Sequence, residues 1–176
     1  TDSLAYNFDT LAIVNNGVCE MYQIGDMVEG GIVFYIDETL KHGLVAASED
    51  LASYEWGCYL QNVNGADGQD IGTGYQNTLY IVAQNCQTQG GGITASQAAL
   101  SYETEGYTDW FLPSIDELDK MYLNLHLQGL GGFANNYYWS STVDGTYSAW
   151  FLNFKYGGHN VNGKYFYSNV RAVRAF

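Results

Sequence analysis

The chain has 176 residues, 47% of them apolar, and a formal charge of -13 from 19 Asp and Glu against 6 Lys and Arg. That length suits one domain with a real core, and that apolar fraction excludes a disordered chain. The acidity argues against nucleic acid and anionic membrane as partners, because binding phosphate needs clustered cations that displace counterions.

Nowhere does the sequence offer the roughly 18 consecutive apolar residues of a spanning helix, and its start lacks the basic and apolar regions of a signal peptide. The chain therefore reads as soluble, without membrane insertion, and as a piece of something longer. The opening "TDSLAYNFDTLAIVNNGVCE" is rich in Asn and Asp and closes on an Asn16-Gly17 turn signal before Cys19. Residues 1–22 read as a short Cys-containing segment or the end of an upstream repeat, and residues 23–176 as the main domain.

Two β-rich apolar runs follow, Ile32 to Ile36 and Gly43 to Ala47, flanking a polar turn, so a hairpin is expected there. Both runs are nearly continuous, which predicts strands buried on both faces. "NGADGQDIGTG" packs turn formers around Asp67 and Asp70 and must be loop. Its carboxylates, with Asn64, offer oxygen ligands for calcium but lack the alternating spacing of an EF-hand, and a plain solvated loop is the competing reading. No cofactor is otherwise implied.

Three helices are expected next. Residues 75–86 place Leu79, Val82, Ala83 and Cys86 on one face, and residues 93–102 do the same with Ala95, Ala98, Ala99 and Tyr102. The third opens with Ser114 as N-cap and Glu117 three residues on, a capping box, with Asp116 favouring the dipole. Ile115, Leu118, Met121, Tyr122 and Leu125 form its buried stripe, and "GLGG" at 129–132 ends it.

The last forty residues change character. Asp144 is their sole carboxylate, against Lys155, Lys164, Arg171 and Arg174, so they form the basic part of an acidic chain. "YYWSST", "SAWFLNFKY", "GKYFYSN" and "VRAVRAF" read as strands joined by turns at Asp144-Gly145, Gly157-Gly158 and Asn162-Gly163. Alternation sets Trp150, Leu152 and Phe154 on a core face and Phe151, Asn153 and Lys155 on the other. Trp56, Trp110, Trp139 and Trp150 are expected to fill the core. Arg171 and Arg174 are expected in buried ion pairs or hydrogen bonds to the sheet.

The three cysteines, Cys19, Cys58 and Cys86, lack the C-x-x-C spacing of a zinc site. A Cys58–Cys86 disulfide would stabilise by roughly 3 to 4 kcal/mol in the chain-entropy model and would imply an oxidising compartment. Three reduced, buried cysteines are the alternative.

"GGIVFYIDETLKHGLVAASED", "WGC", "IGTGYQNTLYIVAQNC", "GYTDWFLPSIDELDKMYLNLH", "GLGGFANNYYWSST", "AWFLNF" and "VRAVRAF" resemble, in order and spacing, the Lcl C-terminal domain family of bacterial collagen-like adhesins. That family belongs with the formylglycine-generating-enzyme type of C-type lectin fold. The resemblance implies an α+β domain with a twisted antiparallel sheet, helices beside it and an irregular ligand-facing surface near the C-terminal strands. The end of the chain, "YWSS", "AW", "NF" and "VRAVRAF" interleaved with Tyr, Asn, Ser, Asp, His and Lys, is also similar to the variable segment of diversity-generating retroelement proteins. There, exposed positions are diversified by mutating adenines; a Tyr- and Asn-rich end common to ordinary family members is the other reading.

The enzymes of this wider fold need residues that this chain lacks. The oxidase branch uses a C-terminal cysteine pair that binds copper, and no cysteine follows Cys86. Sulfoxide synthases use clustered histidines, whereas His42, His126 and His159 lie in separate elements. No nucleophile elbow, P-loop or H-E-x-x-H occurs, and neither does the Glu/Gln-Pro-Asn/Asp tripeptide of the calcium-dependent sugar site. A non-enzymatic binding domain is expected, facing a protein or glycan receptor on a cell surface or virion surface outside the cell. Its contact surface is expected to comprise Val143, Asp144, Tyr147, Phe151, Lys155, Tyr156, His159, Asn160, Asn162, Tyr165 and Tyr167, with Lys164 adding positive charge. Tyr and Asn suit that task, since Tyr gives stiff amphipathic area and Asn adaptable hydrogen bonds. The competing expectation is a structural tip domain in a homo-oligomer, with those tyrosines buried against a neighbour.

Overall fold

The computed structural model describes residues 21–176; the segment 1–20, with Cys19, lies outside them. The fold is α+β, C-type lectin-like, with two sheets and three helices. Strands β1 (Met27–Val28), β2 (Gly31–Ile36), β3 (Gly43–Ala47) and β9 (Val173–Ala175) form an antiparallel sheet in the order β1-β2-β3-β9. The second sheet has the order β4-β8-β5-β6-β7, from β4 (Ala52–Glu55), β5 (Tyr137–Asp144), β6 (Ser148–Asn153), β7 (His159–Gly163) and β8 (Tyr167–Val170). Its β5–β8 pair is parallel, at Tyr138 and Asn169, and its other pairs are antiparallel. The expected hairpin is β2–β3. Strand β3 is buried at every residue, as its unbroken apolar run requires, while β2 ends half-buried at Tyr35 and Ile36.

Between β4 and β5 the chain forms helices α1 (Gly74–Ala83), α2 (Ala95–Leu100) and α3 (Ile115–Asn124), of which α3 packs on strands of both sheets. Helix α3 forms as its signals dictate: the Ser114 hydroxyl accepts the Glu117 N–H, and the Glu117 carboxylate accepts the Ser114 N–H at 2.8 Å. A 3-10 turn at His126–Gln128 follows, and Gly129 closes it with a φ of 72°. Helix α2 carries a second capping box, Thr94 with Gln97, that the sequence reading passed over.

Helix α1 corrects an expectation. Its buried residues are Gly74, Asn77, Thr78 and Ile81; Ala83 is exposed, and Leu79 and Val82 are half-buried. The polar members of that face are held by hydrogen bonds. Thr78 Oγ1 donates within the helix to the Gly74 carbonyl and accepts the Leu112 N–H, and Asn77 Nδ2 donates to the Gly68 carbonyl. Beyond the helix Cys86 is buried and bonded to Cys58.

Trp56, Trp110 and Trp139 are fully buried, each donating its indole N–H to a backbone carbonyl. Trp150 departs from expectation: it is half-buried, while Leu152 and Phe154 of the same face are buried. The terminal arginines serve the frame. Arg171 Nε donates to Asp50 at 2.7 Å, its Nη1 reaches the carbonyls of Ala47 and Gly131, and its guanidinium stacks 4.0 Å above Phe133. Arg174 bridges Asp109 and Glu29 and lies 4.2 Å above Tyr107.

Candidate functional site

The outer part of the second sheet is built by β5, β6 and the edge strand β7. Register fixes which side chains share a face: Phe151 pairs with Asn160, Ala149 with Asn162, Trp150 with Val161 and Leu152 with His159. Alternation therefore divides the expected contact residues between two sides. Phe151, Asn160 and Asn162 share one face with Tyr137, whose ring meets Phe151 edge-on at 5.2 Å. His159 lies on the opposite face, 5.5 Å from the Trp150 ring, with Nδ1 3.4 Å from Asp119 of α3. Burial and the neighbouring Asp119 and Asp70 push the Asp116 carboxyl up, while His159 pulls it back.

The turns supply the rest. Tyr147 is 60% exposed and Tyr165 38%, and both meet Tyr59 edge-on, at 6.1 and 4.8 Å. Tyr156 is 73% exposed, with the Lys155 ammonium 4.9 Å over its ring. Phe166 is exposed as well, and so is Tyr167, which opens strand β8 beside β4. Asn160 and Asn162 accept the next residue's N–H with their carboxamide oxygens, which fixes the side chains; Asn160 is exposed and Asn162 half-buried. Asp144 is exposed and accepts from the Ser148 hydroxyl at 2.9 Å. Tyr59, Tyr137 and Phe166 belong to this surface by position and were not singled out in the sequence.

Two expected members are corrected. Val143 is buried within the core, 8% exposed, and its N–H is bonded to the Ala66 carbonyl at 2.8 Å, so its side chain adds little contact area. Lys164 is fully buried rather than part of a positive surface: Nζ donates to the carbonyls of Gly145 at 2.8 Å and Gln61 at 3.0 Å and lies 4.9 Å over Trp56. Desolvation lowers its pKa to about 8, against a smaller upward pull from Asp144. The Asn162-Gly163 pair, expected as a turn, ends strand β7, and the chain turns at 164–166.

The loop around Asp67 and Asp70 has no regular structure, yet many bonds hold it. The Gly68 carbonyl accepts from Thr142 Oγ1 and Asn77 Nδ2, and the Gln69 carbonyl accepts the Asp116 N–H. The Asp70 carbonyl accepts from the hydroxyls of Ser114 and Thr73. Glu117, buried and with its carboxyl pushed up by desolvation, accepts the Gly72 N–H. Among the described residues no three His, Cys, Asp or Glu side chains group to hold a metal ion, and no helix is long and apolar enough to cross a membrane.

A lectin-like frame with an aromatic and amide surface on its last strands defines the class. The sequence matches the Lcl C-terminal domain family over residues 49–174, and the chain belongs to that family. The fold is also similar to the crystal structure of a fimbrial protein from Bacteroides ovatus, with a TM-score of 0.54 at 16% identity over 81% of this chain. The aligned part is 43% of that protein, so the likeness concerns the fold of less than half of it. No curated protein matches the sequence.

Proposed function

We propose that this domain is a non-enzymatic recognition module, displayed on a cell or virion surface, that binds a protein or glycan receptor through the outward face of β5–β7 and its turns. The supporting observation is that Tyr137, Tyr147, Tyr156, Tyr165, Tyr167 and Asn160 are exposed, and Asn162 half-buried, on a buried, hydrogen-bonded frame. Tyrosine gives contact area at low entropy cost, and carboxamides adapt to donors and acceptors. The Cys58–Cys86 disulfide supports an extracellular setting. Membership of the Lcl C-terminal domain family supports an adhesin-like role.

In this reading the outward Tyr and Asn positions are diversified by a retroelement while the core residues between them stay fixed. Population sequencing of the locus tests that: replacements should concentrate at outward positions such as Tyr156, Asn160 and Tyr165, and uniform constancy would refute diversification. Binding is tested with Tyr156→Ala and Tyr165→Ala. Receptor binding should be lost with the melting temperature unchanged. Loss of assembly in size-exclusion chromatography instead would make the domain an oligomeric tip.

A further inference from the structure

One tryptophan is unlike the rest. Trp56, Trp110 and Trp139 are buried with their indole N–H bonded to carbonyls, whereas Trp150 is half-buried and its N–H has no partner among the described residues. It lines a cleft of ≈ 420 Å³ between the 62–69 loop and the β5–β6 turn, together with Asn62, Asn64, Asp67, Gln69 and Asp144. That volume lies within the roughly 300–1,000 Å³ of small-ligand sites.

The geometry points to a subsite for a neutral sugar unit in this cleft, separate from the aromatic face and adjoining it at Asp144. Sugars present hydroxyls that both donate and accept, alongside apolar C–H faces. The cleft answers with carboxamides that do both, carboxylates that accept, and an indole that gives an apolar ring and a free donor. Asn62 Nδ2 donates to Asn64 Oδ1 at 2.8 Å, which orients the pair, while the Asp67 carboxylate and Gln69 carboxamide have no hydrogen bond among the described residues. Rigidity matters as much as chemistry, because ordering a loop on binding would cost affinity. Here the loop is already fixed at the carbonyls of Ala66, Gly68, Gln69 and Asp70.

Charge selects the sugar class. Two carboxylates line the cleft and no Lys or Arg does. The Lys164 ammonium, bonded to the lining residue Gly145, is buried and committed to the carbonyls of Gly145 and Gln61. Sialylated and sulfated sugars would meet like charge without compensation.

The test is a glycan array carrying neutral hexose and N-acetylhexosamine termini beside sialylated and sulfated ones, read in EDTA, followed by titration of the neutral hits. Neutral glycans should bind, and Gln69→Ala, Asn64→Ala and Trp150→Phe should each weaken them by roughly tenfold or more with unchanged melting temperature. Tyr165→Ala should leave the glycan signal intact, so failure of the cleft and failure of the aromatic face are read separately. Absence of neutral hits, preference for anionic glycans, dependence on calcium, or binding indifferent to the exposed Gln69 and Asn64 changes would each overturn the subsite.

Discussion

Lys164 is held at its ammonium by two carbonyl oxygens rather than by a carboxylate, under the β5–β6 turn. Its folded pKa, about 8, lies below the ordinary 10.5, so between those values the unfolded chain binds more protons than the folded one. Stability carried by this residue must then rise with pH across that window, by about 3 kcal/mol in all. Urea unfolding of the wild type and Lys164→Met from pH 7 to 10.5 should show the difference moving in favour of the wild type as pH rises. A flat difference would mean that Lys164 keeps its ordinary titration. Asp50 is the complementary case. It accepts from Arg171 Nε, Tyr138 Oη and Asn169 Nδ2 at once, joining the end of β3 to β5 and β8. Asp50→Ala would leave the buried guanidinium without its counter-ion, and a loss of roughly 3 kcal/mol is expected in the same assay.

Elements were legible in proportion to how far their signals were local. Helix α3 needed nothing beyond its own residues: the cap, the N3 glutamate and the apolar stripe all lie within twelve positions, and each does what its chemistry predicts. Ser114→Ala should therefore cost about 1 kcal/mol in thermal unfolding, and somewhat more here because the same hydroxyl donates to Asp70 of the loop. Helix α1 shows the opposite. Its apolar periodicity selects Leu79, Val82 and Ala83, but the packed face is chosen by Asn77 and Thr78, whose partners at Gly68 and Leu112 lie in other segments. Hydrophobic spacing cannot register a polar side chain that is buried because something distant satisfies it. Strand β7 was missed for a related reason: "HNVNG" has turn composition and becomes a strand because β6 offers it a ladder. The disulfide ties α1's end to the segment after β4, so Cys86→Ala in the oxidised domain should lower stability by roughly 3 kcal/mol or more. Loss should appear as a lower melting temperature that reducing agent reproduces in the wild type.

For the whole molecule, the sequence carried the fold class, but not which face each residue takes. The contact residues chosen by composition include Val143, which is core, and His159, which lies opposite Phe151. Composition reports what a surface is made of, whereas register and burial decide which residues belong to it. The cleft beside Trp150 illustrates the limit further. Its six named residues come from two distant stretches, and none carries a motif; an unbonded indole among three bonded ones is visible solely in three dimensions.

The alternation of β6 has a genetic consequence. Buried and accessible residues are interleaved one codon at a time: buried Leu152 lies between half-buried Phe151 and Asn153, and buried Phe154 next to exposed Lys155. An exchange of whole segments, as in recombination between relatives, would carry the frame's residues along with the outward ones and put packing at risk each time. A process that rewrites chosen single codons faces no such penalty. The architecture thus favours novelty by point replacement over shuffling, and an engineered library on this scaffold would have to be written residue by residue.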